Sequence, residues 1–384
     1  MHLLKLISRN ALRHKLRTSL TVLGLVVAVV AFGLLQTVVG AWYAKAEAAK
    51  ANRLITRNAI SLVFSMPLAY RQKIRAIEGV KQVSLANWVG SIYKEPKNFF
   101  AQFAVDDAYF DAYPEYVMSE QQKHDYLHDR KGCIVGRRLA ETYGFKVGDS
   151  LAMRGAIYPG EWNFVIRAIY DGAEKNTDTA QMFFHWDYLN ETVKIRYLRR
   201  LDQVGVYIVV AADSDDSARI ALDVDKLFKN SAAETLTETE KAFQLGFISM
   251  SATIVEGVRL VSYLVIFIIM AVMANTIAMT VRERTSEYAT LKALGFGPAF
   301  IAALIFGESL VIALTGGVLG VLLTFPVAAG FASQLGKFFP VFQVSAATVQ
   351  LQVVCAVVVG LAAAVVPARH AGRIRIVDGL RSIA

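Results

Sequence analysis

Charged side chains are scarce in this sequence. Asp, Glu, Lys and Arg make up 19% of 384 residues, hydrophobic residues make up 55%, and the mean hydropathy is +0.40. A chain of this length with so little charge is too apolar for an ordinary soluble enzyme, and membrane insertion is the simple explanation. Cysteine is nearly missing too. Cys133 and Cys355 are the only two, they fall in segments placed on different sides of or within a bilayer, and no metal-ligand spacing surrounds them. Nucleotide and nucleophile signatures are absent: there is no Gly-x-x-x-x-Gly-Lys-Ser/Thr run, so this polypeptide is not expected to hydrolyse ATP unaided, and no Gly-x-Ser-x-Gly elbow. His124 and His128 are four apart but lack the glutamate of a zinc-protease motif, which leaves them as surface histidines and predicts no metal site.

Acidic residues are missing where the net charge of +9 collects. Residues 1–17 carry Lys5, Arg9, Arg13, Lys15 and Arg17 with no acid, residues 281–298 carry three cations and two acids, and residues 368–384 carry four and one. These three segments hold the whole net charge. That is the partition of a membrane topology, with all three facing the cytoplasm, and not of a nucleic-acid surface; no nucleic-acid partner is expected.

What is abundant is the long apolar run. Four spans are predicted, at 18–40, 254–280, 299–328 and 346–366. The first has no charged residue over 23 positions, about 34 Å as a helix against a hydrocarbon core of about 30 Å. A cleaved secretory signal is the rival reading there, since Ala44-Lys45-Ala46 has the small-x-small form of a cleavage site, but a signal's apolar region is only about 7–15 residues. Residues 2–17 alternate leucine and isoleucine with the five cations and predict a basic amphipathic helix on the inner membrane face. Within the spans, Asn275 is expected to hydrogen-bond across helices. Glu308, the one acid of its span, is either functional or the structural partner of a cation such as one in the N-terminal segment. Gly316, Gly317 and Gly320 predict close helix approach, Pro326 lies near the outer end of the third span, and Pro367 is expected to end the fourth. Residues 334–344 read as a short outer loop rich in aromatics.

Residues 41–253 change character to mixed charged and aromatic sequence, the size of one or two domains. Residues 44–58 are Ala-rich and helical in pattern, 68–77 read as a helix, and 217–228 read as another opened by the capping candidates Ser214 and Asp215. Short apolar or alternating runs at 99–105, 133–135, 150–153, 163–169 and 204–210 read as strands. The order predicts an α+β extracytoplasmic domain and argues against a βαβ nucleotide fold. Asp106 and Asp107 read as turn and packing residues, and the cluster Phe183–Trp186 and the segment Trp88–Tyr93 as core or as a partner surface.

The stretch 281–298 is charged sequence held between two apolar runs. Tyr288, Leu291 and Leu294 recur at helical spacing, which predicts an amphipathic helix over 281–295 ended by Gly295, Gly297 and Pro298. Glu283 and Glu287 are four apart, and like charges at that spacing cost a few tenths of a kcal/mol unless cations answer them, Arg284 from within or an outside partner. An ordinary polar loop between spans is the plain alternative. The stretch resembles the FtsX-like, MacB-type permeases of ABC transporters: Arg282-Glu283-Arg284, Glu287, Leu291-Lys292-Ala293-Leu294-Gly295, then Glu308 in the following span. The likeness continues in Ile77-Glu78-Gly79-Val80, Val105–Phe110, Gly136–Ala140 leading to Val147-Gly148-Asp149, Val366–Arg369 and Val377–Arg381.

The resemblance implies a helical membrane protein of four spans with a large α+β extracytoplasmic domain between the first and second. It implies a non-catalytic permease subunit whose coupling helix, carrying Arg282, Glu283, Arg284, Glu287, Tyr288, Leu291, Lys292, Leu294 and Gly295, docks on a separate ABC ATPase. ATP and Mg would belong to that partner, with no cofactor here. Further partners implied are a second permease copy or paralogue, a periplasmic adaptor and membrane lipid. Motion driven by ATP would reach the extracytoplasmic domain and export or extract lipid, lipoprotein or hydrophobic compounds at the inner membrane; the alternative is a signalling module that activates an extracytoplasmic enzyme without transport.

Overall fold

The computed structural model describes residue 13 and residues 15–96, 98–174, 177–196, 200–335 and 342–374. The amphipathic helix expected over 2–17, the aromatic part of the 334–344 loop and the segment Val377–Arg381 lie wholly or mostly outside the described residues. The chain divides into two compact units, one formed by the described residues up to Trp42 and from Ser251 onward, the other by Tyr43–Met250.

Helix α1 (Lys15–Ala48) opens the described chain. In the second unit the strands are β1 (Arg53–Asn58), β2 (Met66–Pro67), β3 (Val80–Trp88), β4 (Ser91–Ile92), β5 (Ala101–Val105), β6 (Tyr116–Val117), β7 (Gly132–Gly136), β8 (Ser150–Gly155), β9 (Gly160–Gly172), β10 (Gln181–His185), β11 (Gln203–Val204), β12 (Val206–Ala211) and β13 (Thr235–Thr239). Its helices are α2 (Tyr70–Arg75), α3 (Tyr109–Ala112), α4 (Glu120–Leu127), α5 (Arg137–Tyr143), α6 (Trp186–Arg196), α7 (Ser217–Leu227) and α8 (Glu240–Met250). The strands form one mixed sheet in the order β13-β1-β12-β3-β5-β10-β7-β9-β8-β4, with β6 paired to β9 and a separate β11-β2 ladder. This is the expected α+β domain between the first two spans.

Period-two alternation decides which core each strand residue joins. Leu54, Cys133, Val135, Phe184 and Val209 enter one apolar cluster, while Ile55, Ile134, Phe183 and Ile208 enter another. Both faces are covered, so the run Phe183–Trp186 is core and not surface. The helix expected through Asn58 stops at Ala48, because Leu54, Ile55 and Thr56 sit in register with both β12 and β13, a tertiary gain that local alanine propensity does not match. On β1 the buried Arg53 is satisfied by Glu240 at 2.7 Å, Glu115 at 2.6 Å and the Ala112 carbonyl at 2.8 Å. Helix α7 is capped at Asp216 without a side-chain bond, one position beyond the expected candidates; Ser214 and Asp215 instead form the turn before it.

The first unit holds α1 with α9 (Ala252–Glu283), α10 (Thr285–Ala293), α11 (Pro298–Leu335) and α12 (Ala346–Arg373). Four of these helices are long and apolar enough to cross a membrane: Lys15–Ala44, Ala252–Glu283, Pro298–Ala332 and Ala346–Arg373. Missing side chains set their spacing. A Cβ on Gly320 would meet Val29 of α1 at 2.7 Å, and one on Gly317 would meet Ala356 of α12 at 2.7 Å, so α11 packs close on both sides. Pro367 does not end α12, which continues to Arg373: the prolyl nitrogen lacks a donor, but the ring is buried among packed helices that hold the segment in place. Pro326 likewise lies within α11.

Candidate functional site

The charged stretch is two helices and not one. Helix α9 runs on through Glu283, α10 begins at Thr285, and Arg284 alone separates them with φ −104° and ψ 18°. The break follows from where the guanidinium goes. Arg284 is buried, its Nη1 donates to Glu308 Oε1 at 2.6 Å, its Nε donates to Glu287 Oε2 at 2.9 Å, and it lies 5.3 Å from the centroid of the Tyr288 ring. A buried cation is tolerated when every side of it is answered. Burial works against the Arg284 charge, yet Tyr288, Glu308 and Glu287 outweigh it and hold the guanidinium above the usual arginine range. Among the described residues, Glu308 therefore pairs with Arg284 of the loop between spans.

The N-terminal cations meet the two acids instead. Arg17 donates to Glu283 through Nη1 and Nη2, both at 2.7 Å, and Arg13 donates to Glu287. Burial alone would raise the Glu287 carboxyl, but bonds from Arg284 and Arg13 hold it below the usual carboxylate range. Tyr288 is 1% exposed and packs in the core of the four-helix unit, where burial pushes its phenol up to about 12. Leu291 is half-buried against the same core. Lys292 Nζ donates to the carbonyls of Gly372 and Ile374, both at 2.8 Å, the direction a cation takes at a helix C-terminus. Gly295, at φ +92°, closes α10: its own N–H bonds the Lys292 carbonyl and the Phe296 N–H bonds the Leu291 carbonyl, a left-handed cap that favours glycine.

What remains for a partner is the tip. Leu294 is 70% exposed and Phe296 42% exposed, with Phe296 stacked on Phe300 at 4.6 Å; Arg282 is exposed on the end of α9. Of the nine residues expected in the coupling stretch, Glu283, Arg284, Glu287, Tyr288, Leu291, Lys292 and Gly295 hold it to its own unit, while Arg282 and Leu294 face outward. Phe296 was not singled out by sequence, and Arg13 and Arg17 entered only as cations of the N-terminal segment, without their partners. The i,i+4 match between Arg13/Arg17 and Glu283/Glu287 was the available signal for the two arginines, and an aromatic between two glycines was the signal for Phe296. Among the described residues, Asn275 makes no bond across helices. It sits on the exposed face of α9 and bonds no other described side chain.

The model of the MacB-like periplasmic core domain matches residues 18–227, more than half of the chain, and that of the FtsX-like permease C-terminal region matches residues 259–376. The chain belongs to this MacB/FtsX permease family. It is 24% identical over 410 aligned residues to the uncharacterised ABC transporter permease YvrN of Bacillus subtilis, covering 96% of each. Over 211 residues it is 26% identical to the macrolide export ATP-binding/permease protein MacB of Sodalis glossinidius, 53% of this chain and 32% of that one, so it spans about a third of that relative's length. Among solved structures it is similar to the periplasmic region of MacB from Actinobacillus actinomycetemcomitans, with a TM-score of 0.38 at 7% identity over 52% of this chain and 94% of the other. The permease is thus of the ABC type, a multi-pass membrane protein with an extracytoplasmic domain, and subunits of this type are generally non-catalytic and imply an ATPase partner.

Proposed function

We infer that this chain is the permease subunit of a transporter assembled with a separate ATPase chain, and that the α10 tip is where the ATPase docks. The observation that carries this reading is the contrast within one loop. Four of its five charged residues are bound to their own unit, and two large apolar side chains, Leu294 and Phe296, stay in water at its end. A loop fixed this firmly presents its tip as a rigid surface, and apolar anchors of this kind are what a partner's groove buries. The charge partition supports an orientation in which the tip and both termini face the cytoplasm at the inner membrane and residues 43–250 lie outside. ATP and Mg sit on the partner.

The exposed amide of Asn275 supports a second permease in the assembly, copy or paralogue, because an unpaired amide at membrane depth is costly and a facing helix would satisfy it. Exposed Ile60, Val63 and Phe64 on the outer domain support a hydrophobic cargo such as lipid, lipoprotein or an apolar compound, or an adaptor that receives it. Motion of the docked tip would work the outer domain, in place of a wide aqueous conduit. Replacing Leu294 and Phe296 by alanine should cost more than about 2 kcal/mol of ATPase affinity, roughly thirtyfold, in co-purification from membranes. Unchanged recovery of the ATPase would remove this assignment.

A further inference from the structure

Arg13 and Arg17 lie four apart, as do Glu283 and Glu287, and the two pairs meet in opposite order. The Arg17–Glu283 contact is a two-pronged fork with both bonds at 2.7 Å, the geometry in which a guanidinium fixes orientation as well as distance. Exposed pairs of this kind add little to stability, so stability does not explain two of them in register. Position does. Near its cytoplasmic-loop end α1 meets α9 and α11 through apolar and small side chains, Gly24 beside Ile269 and Leu25 beside Gly316, and such packing resists sliding along the helix axis only weakly; the Gln36 amide donates to Ser262 Oγ of α9 at 2.9 Å, but 19 positions further along α1 than Arg17. Arg17 sits in the first turn of α1 and Arg13 two positions before the helix starts, and together they tie that end to both sides of the break at Arg284, Arg17 and Glu283 being 266 positions apart in the chain.

We propose that these four residues form a clasp through which displacement of the α10 tip reaches α1, with Arg17 and Glu283 as the positioning pair. The inference rests on the docking reading above. Arg284 with Glu308 carries the same displacement to α11, and the clasp is what brings α1 along with it.

The test uses the permease–ATPase complex in lipid nanodiscs. An environment-sensitive fluorophore is placed on Glu47→Cys, an exposed position near the end of α1, in a chain with Cys355→Ala; Cys133 is fully buried. Emission is compared between the nucleotide-free and ATP–vanadate states. Arg17→Glu alone, or Glu283→Arg alone, should cut the nucleotide-dependent change at least about fivefold while ATPase recovery stays at the wild-type level, and the charge-swapped double variant should restore it. Full amplitude in either single reversal would overturn the clasp, as would loss of ATPase recovery that the swap does not repair. A wild-type chain that recovers no ATPase would remove the docking reading, and the clasp with it.

Discussion

Arg284 and Glu308 form the most consequential pair of side chains in the membrane unit, since both are buried and each is the other's main compensation. Glu308→Leu would strand the guanidinium in an apolar setting, and breaking one partner of a buried pair costs about 3–5 kcal/mol. Glu308→Gln keeps an acceptor and should cost less. Arg284→Met combined with Glu308→Leu should recover most of the loss, because two apolar groups leave no buried charge. Thermal midpoints of the detergent-solubilised protein give the order: the double variant above Glu308→Leu, and Glu308→Gln nearer to wild type. A double variant below both singles would contradict this account. Sequence marked Glu308 as anomalous and offered a cation as its structural partner, with the N-terminal segment as the example; the cation described beside it is Arg284. Several cations lie near the ends of the spans in sequence, and pattern alone does not say that the helix breaks at Arg284 and sets its guanidinium beside Glu308 of the third span.

Among the elements, helix packing turns on positions where a side chain is missing. A Cβ on Gly33 of α1 would fall 2.1 Å from Gln352 Nε2, which is buried and donates to the Val29 carbonyl and to Thr324 Oγ1, both at 2.9 Å. Gly33→Ala should therefore displace the amide and leave polar groups unpaired, at a cost of about 1–3 kcal/mol with overpacking of similar size. Gly40→Ala, where a Cβ meets nothing within 4 Å, is the matched control in the same helix and should be neutral or stabilising by up to about 1 kcal/mol. Equal thermal midpoints for the two variants would show that α1 and α12 do not meet as described. The spans were legible because apolar length alone identifies them, whereas their ends were not. Pro367 reads as a stop in isolated sequence, and neighbouring helices override it. The same holds in the outer domain, where Arg53–Asn58 follows an alanine-rich run and becomes a strand only because β12 and β13 flank it. In the charged stretch the residue types were legible and their direction was not: helical spacing grouped Tyr288 with Leu294, yet Tyr288 packs inward and Leu294 stays in water.

At the scale of the molecule, the chain has an α+β extracytoplasmic domain and a membrane unit of four long apolar helices, with the exposed tip at Leu294 and Phe296 as the proposed receiver of an ATPase. The measurement that tests this most directly is site-specific photo-crosslinking in intact cells, with a benzophenone amino acid at Leu294 or Phe296, compared with Val63 in the outer domain. An adduct with the mass of permease plus ATPase should form from Leu294 and Phe296 and be absent from Val63. An ATPase adduct from Val63, with none from the tip, would contradict both the docking surface and the side of the membrane on which it lies.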